Sequence, residues 1–131
     1  MSSQPRDRVF LDSNVLFSAA YQADSRFRRL WRLPGVTLLT SLYVIAEVTR
    51  NLAQEHHRRL RTLLAEMEVV EGEAPLPPGI RLPAKDQPIL RAAIAGGATH
   101  LLTGDTLHFG GLYGRKVGGV AVLPRSLYLA P

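Results

Sequence analysis

The stretch DQPILRAAIAGGATHLLTGD (residues 86–105) holds a helix, its stop, a strand and an acidic turn, in that order. Asp86 opens the helix, Pro88 sits in its first turn where a missing N–H costs nothing, and Gly96-Gly97 ends it. THLLT (99–103) is a short apolar run of strand character. The helix over 86–95 descends roughly 15 Å. The strand then climbs back roughly 16 Å, so Asp105 returns to the level of Asp86.

The same alternation extends outward. Arg8–Leu11 reads as a buried strand, Asp12 follows it, and Asn14–Ala20 starts a helix. RFRRLWRL (26–33) reads as helical, with Pro34-Gly35 as its end. VTLLT (36–40) is a strand that feeds the helix SLYVIAEVTRNLAQEH (41–56). Ser41 is its N-cap, and Leu42, Ile45, Val48 and Leu52 form its inward stripe. Residues 56–68 add a helical segment with Leu60, Leu63, Leu64 and Met67 inward; Val69-Val70 and GVAVL (119–123) are further strands. EGEAPLPPGIRLPAK (71–85), with four prolines, reads as a surface loop inside one domain spanning 1–131. Strands alternating with helices predict an α/β domain with a parallel sheet. In such sheets, ligands bind at the carboxyl ends of the strands.

Composition narrows the function classes. The chain has 131 residues, 46% of them apolar, which suffices for one core. It has no cysteine, which excludes disulfides and thiolate metal sites and fits a reducing cytoplasm. No apolar window is long enough to cross a membrane, and MSSQPRDR lacks the apolar segment of a secretion signal. The net charge is +5, with sixteen Lys+Arg against eleven Asp+Glu, and arginines cluster in RFRRLWR (26–32) and HHRRLR (56–61). Clustered guanidinium groups suit phosphate and attract polyanions.

Against that basic background, Asp12, Glu47, Asp86 and Asp105 are predicted to gather at one edge. Asp12 follows the first strand, Glu47 lies in the second turn of the helix after VTLLT, and the other two are placed by the length arithmetic above. Each has an ordinary explanation alone: Asp12 and Asp86 as helix caps, Glu47 as a solvated helix residue, Asp105 as a turn former. Together they would raise one another's pKa unless a cation neutralised them. Oxygen-only ligands point to Mg²⁺ or Mn²⁺.

FLDSNVL, SLYVIAEVTRNL and DQPILRAAIAGGATHLLTGD together resemble the PIN-domain ribonucleases, including VapC-like toxins. The resemblance implies a three-layer α/β/α sandwich around a mainly parallel sheet. It also implies metal-dependent cleavage of RNA to 5′-phosphate and 3′-hydroxyl ends, a homodimer, and an antitoxin partner if the chain is a toxin. Asp12, Asp86 and Asp105 would then hold one or two Mg²⁺ or Mn²⁺ ions, and Glu47 would be a ligand or orient the attacking water. Asn14, Thr103 and Ser13 stand beside these acids as groups that orient a carboxylate or bind a phosphate oxygen. Arg50, one turn beyond Glu47, faces the nucleic-acid backbone in this reading. Many members carry a further acid shortly after the TGD-like turn, where this chain has Thr106-Leu107-His108-Phe109.

His108 reads as substrate-side or structural, His100 as structural, and Trp31 and Tyr43 as core residues. Two rival functions stand beside the nuclease. One is a non-catalytic RNA-binding or adaptor module that keeps the fold. The other is a phosphotransferase with Asp12 as nucleophile, which wants a second aspartate where this chain has Asn14.

Overall fold

In the computed structural model of the protein, residues 6–129 are described. Strand β1 (Asp7–Leu11) leads through Asp12 into α1 (Ser13–Tyr21) and a 3₁₀ segment, Arg26–Arg32. Then come β2 (Val36–Ser41), α2 (Leu42–Asn51), a 3₁₀ turn at Gln54–His56, α3 (His57–Leu64) and β3 (Glu68–Val70). After the proline-rich loop follow α4 (Gln87–Ala95), β4 (His100–Thr103), the short α5 (Thr106–Phe109), β5 (Lys116–Val117) and β6 (Val120–Pro124).

The strands form one sheet in the order β3-β2-β1-β4-β6-β5. All pairings are parallel except the edge hairpin β5–β6. Val9, Phe10 and Leu11 are consecutive, so they point to alternate faces, yet all are fully buried. Leu101, Leu102 and Thr103 behave likewise. Both faces of the central strands are therefore covered, which is the physical reason these strands read as unbroken apolar runs. Each fully buried Leu or Phe here contributes roughly 1.5–3 kcal/mol of burial free energy. The hairpin turns on Gly118 and Gly119, whose φ values of 57° and 85° suit the two-residue turn that matches strand twist.

The chain departs from the sequence expectations in the middle. The helix expected over 41–56 ends at Asn51, and a 3₁₀ turn separates it from α3. Its inward stripe is Val44, Val48 and Leu52, all buried, whereas Leu42 is 70% exposed. Ser41 does cap α2, accepting from Val44 N at 3.3 Å. Tyr43 is an exposed residue and not part of the core; its hydroxyl donates to the Lys85 carbonyl at 2.5 Å. Trp31 packs against the core and donates from Nε1 to Leu63 O at 3.1 Å.

The topology fixes where a site can lie. From β1 the chain proceeds outward through β2 to β3, and on the other side of β1 through β4 to β6. The crevice at the carboxyl ends of β1 and β4 is thus the point where strand order reverses.

Candidate active site

Asp12 sits in that crevice. Its backbone N–H still bonds Leu102 O across to β4 (3.1 Å). Its side chain turns to the helix start, where Oδ1 accepts from Ser13 N at 2.6 Å and so caps α1. Oδ2 accepts from Thr103 Oγ1 at 2.8 Å. Burial pushes the Asp12 carboxyl up from 3.8 to about 6; the bonds from Thr103 and Ser13 oppose this, and the charges of Glu47 and Asp86 add to it.

Two polar residues lock the opposite wall to this carboxylate. Thr103, fully buried, also accepts from Asp105 N at 3.1 Å. One hydroxyl thereby sets Asp12 and the Gly104-Asp105 turn in mutual register. Asn14 ties the same turn to α1, accepting from Gly104 N through Oδ1 at 2.6 Å. A Cβ on Gly104 would meet Arg125 Nε at 2.9 Å and Asn14 Oδ1 at 3.0 Å, so any larger residue would push the Arg125 side chain aside.

Asp105 caps α5 by accepting from His108 N (3.2 Å). Its other oxygen lies 2.8 Å from His108 Nδ1. The same Nδ1 is 3.0 Å from Asp86 Oδ2, which is buried and makes no hydrogen bond. Asp86 is 4% exposed and makes no side-chain cap to α4, so the ordinary cap explanation fails for it. Lys85 Nζ stands 3.5 Å from its other oxygen. The Tyr43 tether to Lys85 O holds the end of the loop that delivers Asp86.

Glu47 is half-buried on α2 and close enough for its charge to act on Asp12. Ser13 is held at the helix start beside Asp12, while Arg50 is exposed in the last turn of α2. Ligand atoms of Asp86, Asp105 and His108 lie within 4.8 Å of one another. The structure thus draws Asp86 and Asp105 together from opposite ends of a helix–strand unit, and Asp12 joins Asp105 through Thr103. His108 belongs to this cluster and lies in the Thr106–Phe109 segment that follows the acidic turn. Its spacing of three residues from Asp105 is the signal, since residues three apart share a helical face.

A buried carboxylate oxygen without a donor is costly, and a carboxylate held near pH 6 by burial is costly when ionised. A divalent cation relieves both. The carboxylates of Asp12, Asp86 and Asp105 are oxygen donors of the kind that suit a hard divalent cation, so the residues present fit such an ion.

Residues 8–107 match the sequence profile described as the PIN domain. No curated protein matches the sequence. Among solved structures, the fold is similar to a chain in the crystal structure of VapBC2 from Rickettsia felis bound to a DNA fragment from their promoter. The two chains share 15% identity over 89% of this chain and 98% of that one, with a TM-score of 0.62. At that identity the likeness is one of fold.

Proposed function

Because the chain belongs to the PIN-domain family, whose members are generally nucleases, we propose that it is a Mg²⁺- or Mn²⁺-dependent endoribonuclease acting on single-stranded RNA. The observation that carries this reading is Asp86 Oδ2, a buried carboxylate oxygen that makes no hydrogen bond, in a cluster with Asp105 and His108. Asp12, Asp86 and Asp105 would hold the cation, with Glu47 as a further ligand or as the group that orients water. A bound divalent ion supplies Lewis-acid activation of water and neutralises charge at the scissile phosphate. Thr103, Asn14 and Ser13 keep the carboxylates aimed into the crevice. His108 orients Asp105 through Nδ1, and Arg50, exposed on α2, would meet a backbone phosphate.

The solved neighbour belongs to VapBC2, which supports reading this chain as the toxin of a toxin–antitoxin pair; with that reading go a homodimer and a cytoplasmic site of action. No helix among the described residues is long and apolar enough to cross a membrane.

The test is incubation of the purified protein with single-stranded RNA in Mn²⁺ or in EDTA. Cleavage in Mn²⁺ that vanishes in EDTA and in Asp12→Asn is the expected result. RNA binding indifferent to metal, with no cleavage at any protein concentration, would establish a binding module instead.

A further inference from the structure

Beside Asp12, between α1 and α2, lies an open cleft of about 330 Å³, at the small end of the range for ligand sites. Phe17 and Val48 supply its apolar lining, and Asn14, Ser18, Asn51 and Arg125 its polar rim. The cleft adjoins the acidic crevice directly, because Asn14 belongs to both.

Arg125 is unusual in this setting. Nη1 donates to Ser18 Oγ at 3.0 Å, and the guanidinium carbon stands 5.0 Å from the centroid of the Phe27 ring. Among the described residues, no carboxylate lies within ion-pair distance of it. A hydroxyl and an aromatic face hold the cation in place and leave its charge without an internal counterion.

On the other side of Phe17 lies a second hollow of about 480 Å³ that shares Phe17 and Ser18 in its lining and also carries Tyr21, Asp24 and Arg26. The Phe17 and Tyr21 rings stack at 5.7 Å and 14°. Aromatic faces interleaved with unpaired arginines are what an unpaired polynucleotide strand requires, since stacking takes the base and the cation takes the phosphate.

We propose that this cleft holds the nucleotide next to the scissile phosphate of single-stranded RNA. Its base lies against Phe17, the Asn51 amide reads the base edge with its paired donor and acceptor, and Arg125 binds the neighbouring phosphate. The substrate class rests on the nuclease reading; the cleft and its unpaired arginine do not.

Phe17→Leu, Asn51→Ala and Arg125→Gln test it, assayed on short single-stranded RNA in Mn²⁺. Circular dichroism and the Mn²⁺-induced rise in melting temperature serve as controls for fold and metal site. Phe17→Leu and Arg125→Gln are expected to raise KM about tenfold with kcat nearly unchanged, and Asn51→Ala to flatten the preference among the four bases at one position. Continued cleavage with KM and base preference unchanged in all three would overturn the proposal, assign the cleft to another occupant such as a protein segment, and leave the nuclease reading intact. If the wild type cleaves no RNA, fluorescence anisotropy on Asp12→Asn decides the cleft separately. Weaker RNA binding on adding Phe17→Leu supports the assignment, and equal binding overturns it.

Discussion

At the amino ends of the strands, Arg8 pairs with Glu68 and donates from Nη2 to the Gly96 carbonyl at 2.8 Å, while Tyr128 donates to Asp7. His100 there meets the Thr99 hydroxyl at 2.8 Å and packs edge-on against Tyr128. At the carboxyl ends the same sheet carries Asp12, Asp86 and Asp105: one buried oxygen of Asp86 makes no hydrogen bond, and burial raises the Asp12 pKa to about 6. One end is built as structure, with its charges offset internally. The other gathers buried carboxylates whose charge is not offset internally, which is the arrangement a divalent cation would balance.

The contrast is broken most forcefully by removing an acid from the carboxyl end. Asp86→Asn is expected to lower kcat for RNA cleavage by about 10²–10³-fold while the circular dichroism spectrum stays that of the wild type. Activity within a few-fold of wild type would detach Asp86 from the chemistry.

The next effect is on stability and has a definite sign. Asp12 has a folded pKa of about 6 against 3.8 for the free group, so between those values the folded state binds the extra proton. Its contribution to the stability of the metal-free protein is greatest below about pH 4 and is lost as pH rises through 6. The loss amounts to about 3 kcal/mol. Metal-free Asp12→Asn is therefore expected to melt higher than the wild type at pH 7.5, by on the order of 10 °C, with a flatter profile between pH 4 and 7. A destabilised Asp12→Asn at that pH would mean that its bonds to Ser13 and Thr103 outweigh its burial.

A smaller change is expected from His108→Ala, which removes the imidazole between two carboxylates. It should weaken Mn²⁺ affinity about 10- to 100-fold in a titration, and unchanged affinity would return His108 to a purely structural role. Smallest of all is Glu68→Gln at the offset end. The Arg8–Glu68 pair is partly exposed, so its loss is expected to cost under about 1 kcal/mol in urea denaturation and to leave RNA cleavage as it was.

The legible and illegible parts of this molecule divide along physical lines. β1, β2, β4 and β6 could be read because strands covered on both faces need consecutive apolar residues. Asp86 and Asp105 could be placed at one level because helix rise and strand rise are fixed quantities. The end of α2 at Asn51 could not, since neither proline nor glycine marks LAQEH. The facing of α2 was ambiguous for a related reason. Leu42-Ile45 and Val44-Val48 both fit a helical stripe, and only tertiary packing chooses the second. The β5–β6 hairpin carried a visible Gly118-Gly119 signal, but two-residue β5 is too short to show alternation. In the site, carboxylates announced themselves through the oddity of acids beside core strands. His108 offered only its i,i+3 spacing from Asp105, because its other partner, Asp86, is distant in sequence, and Arg125 offered nothing, since Ser18 and Phe27 come beside it only in the fold.

Calorimetric titration of Mn²⁺ into metal-free protein at pH 7.5, beside Asp86→Asn under the same conditions, addresses the central claim most directly. Saturable binding in the wild type that is lost or weakened at least a hundredfold in the variant is the predicted result. Equal heats from both proteins, or none from the wild type, would contradict the claim that the acids at the carboxyl edge exist to hold a divalent ion.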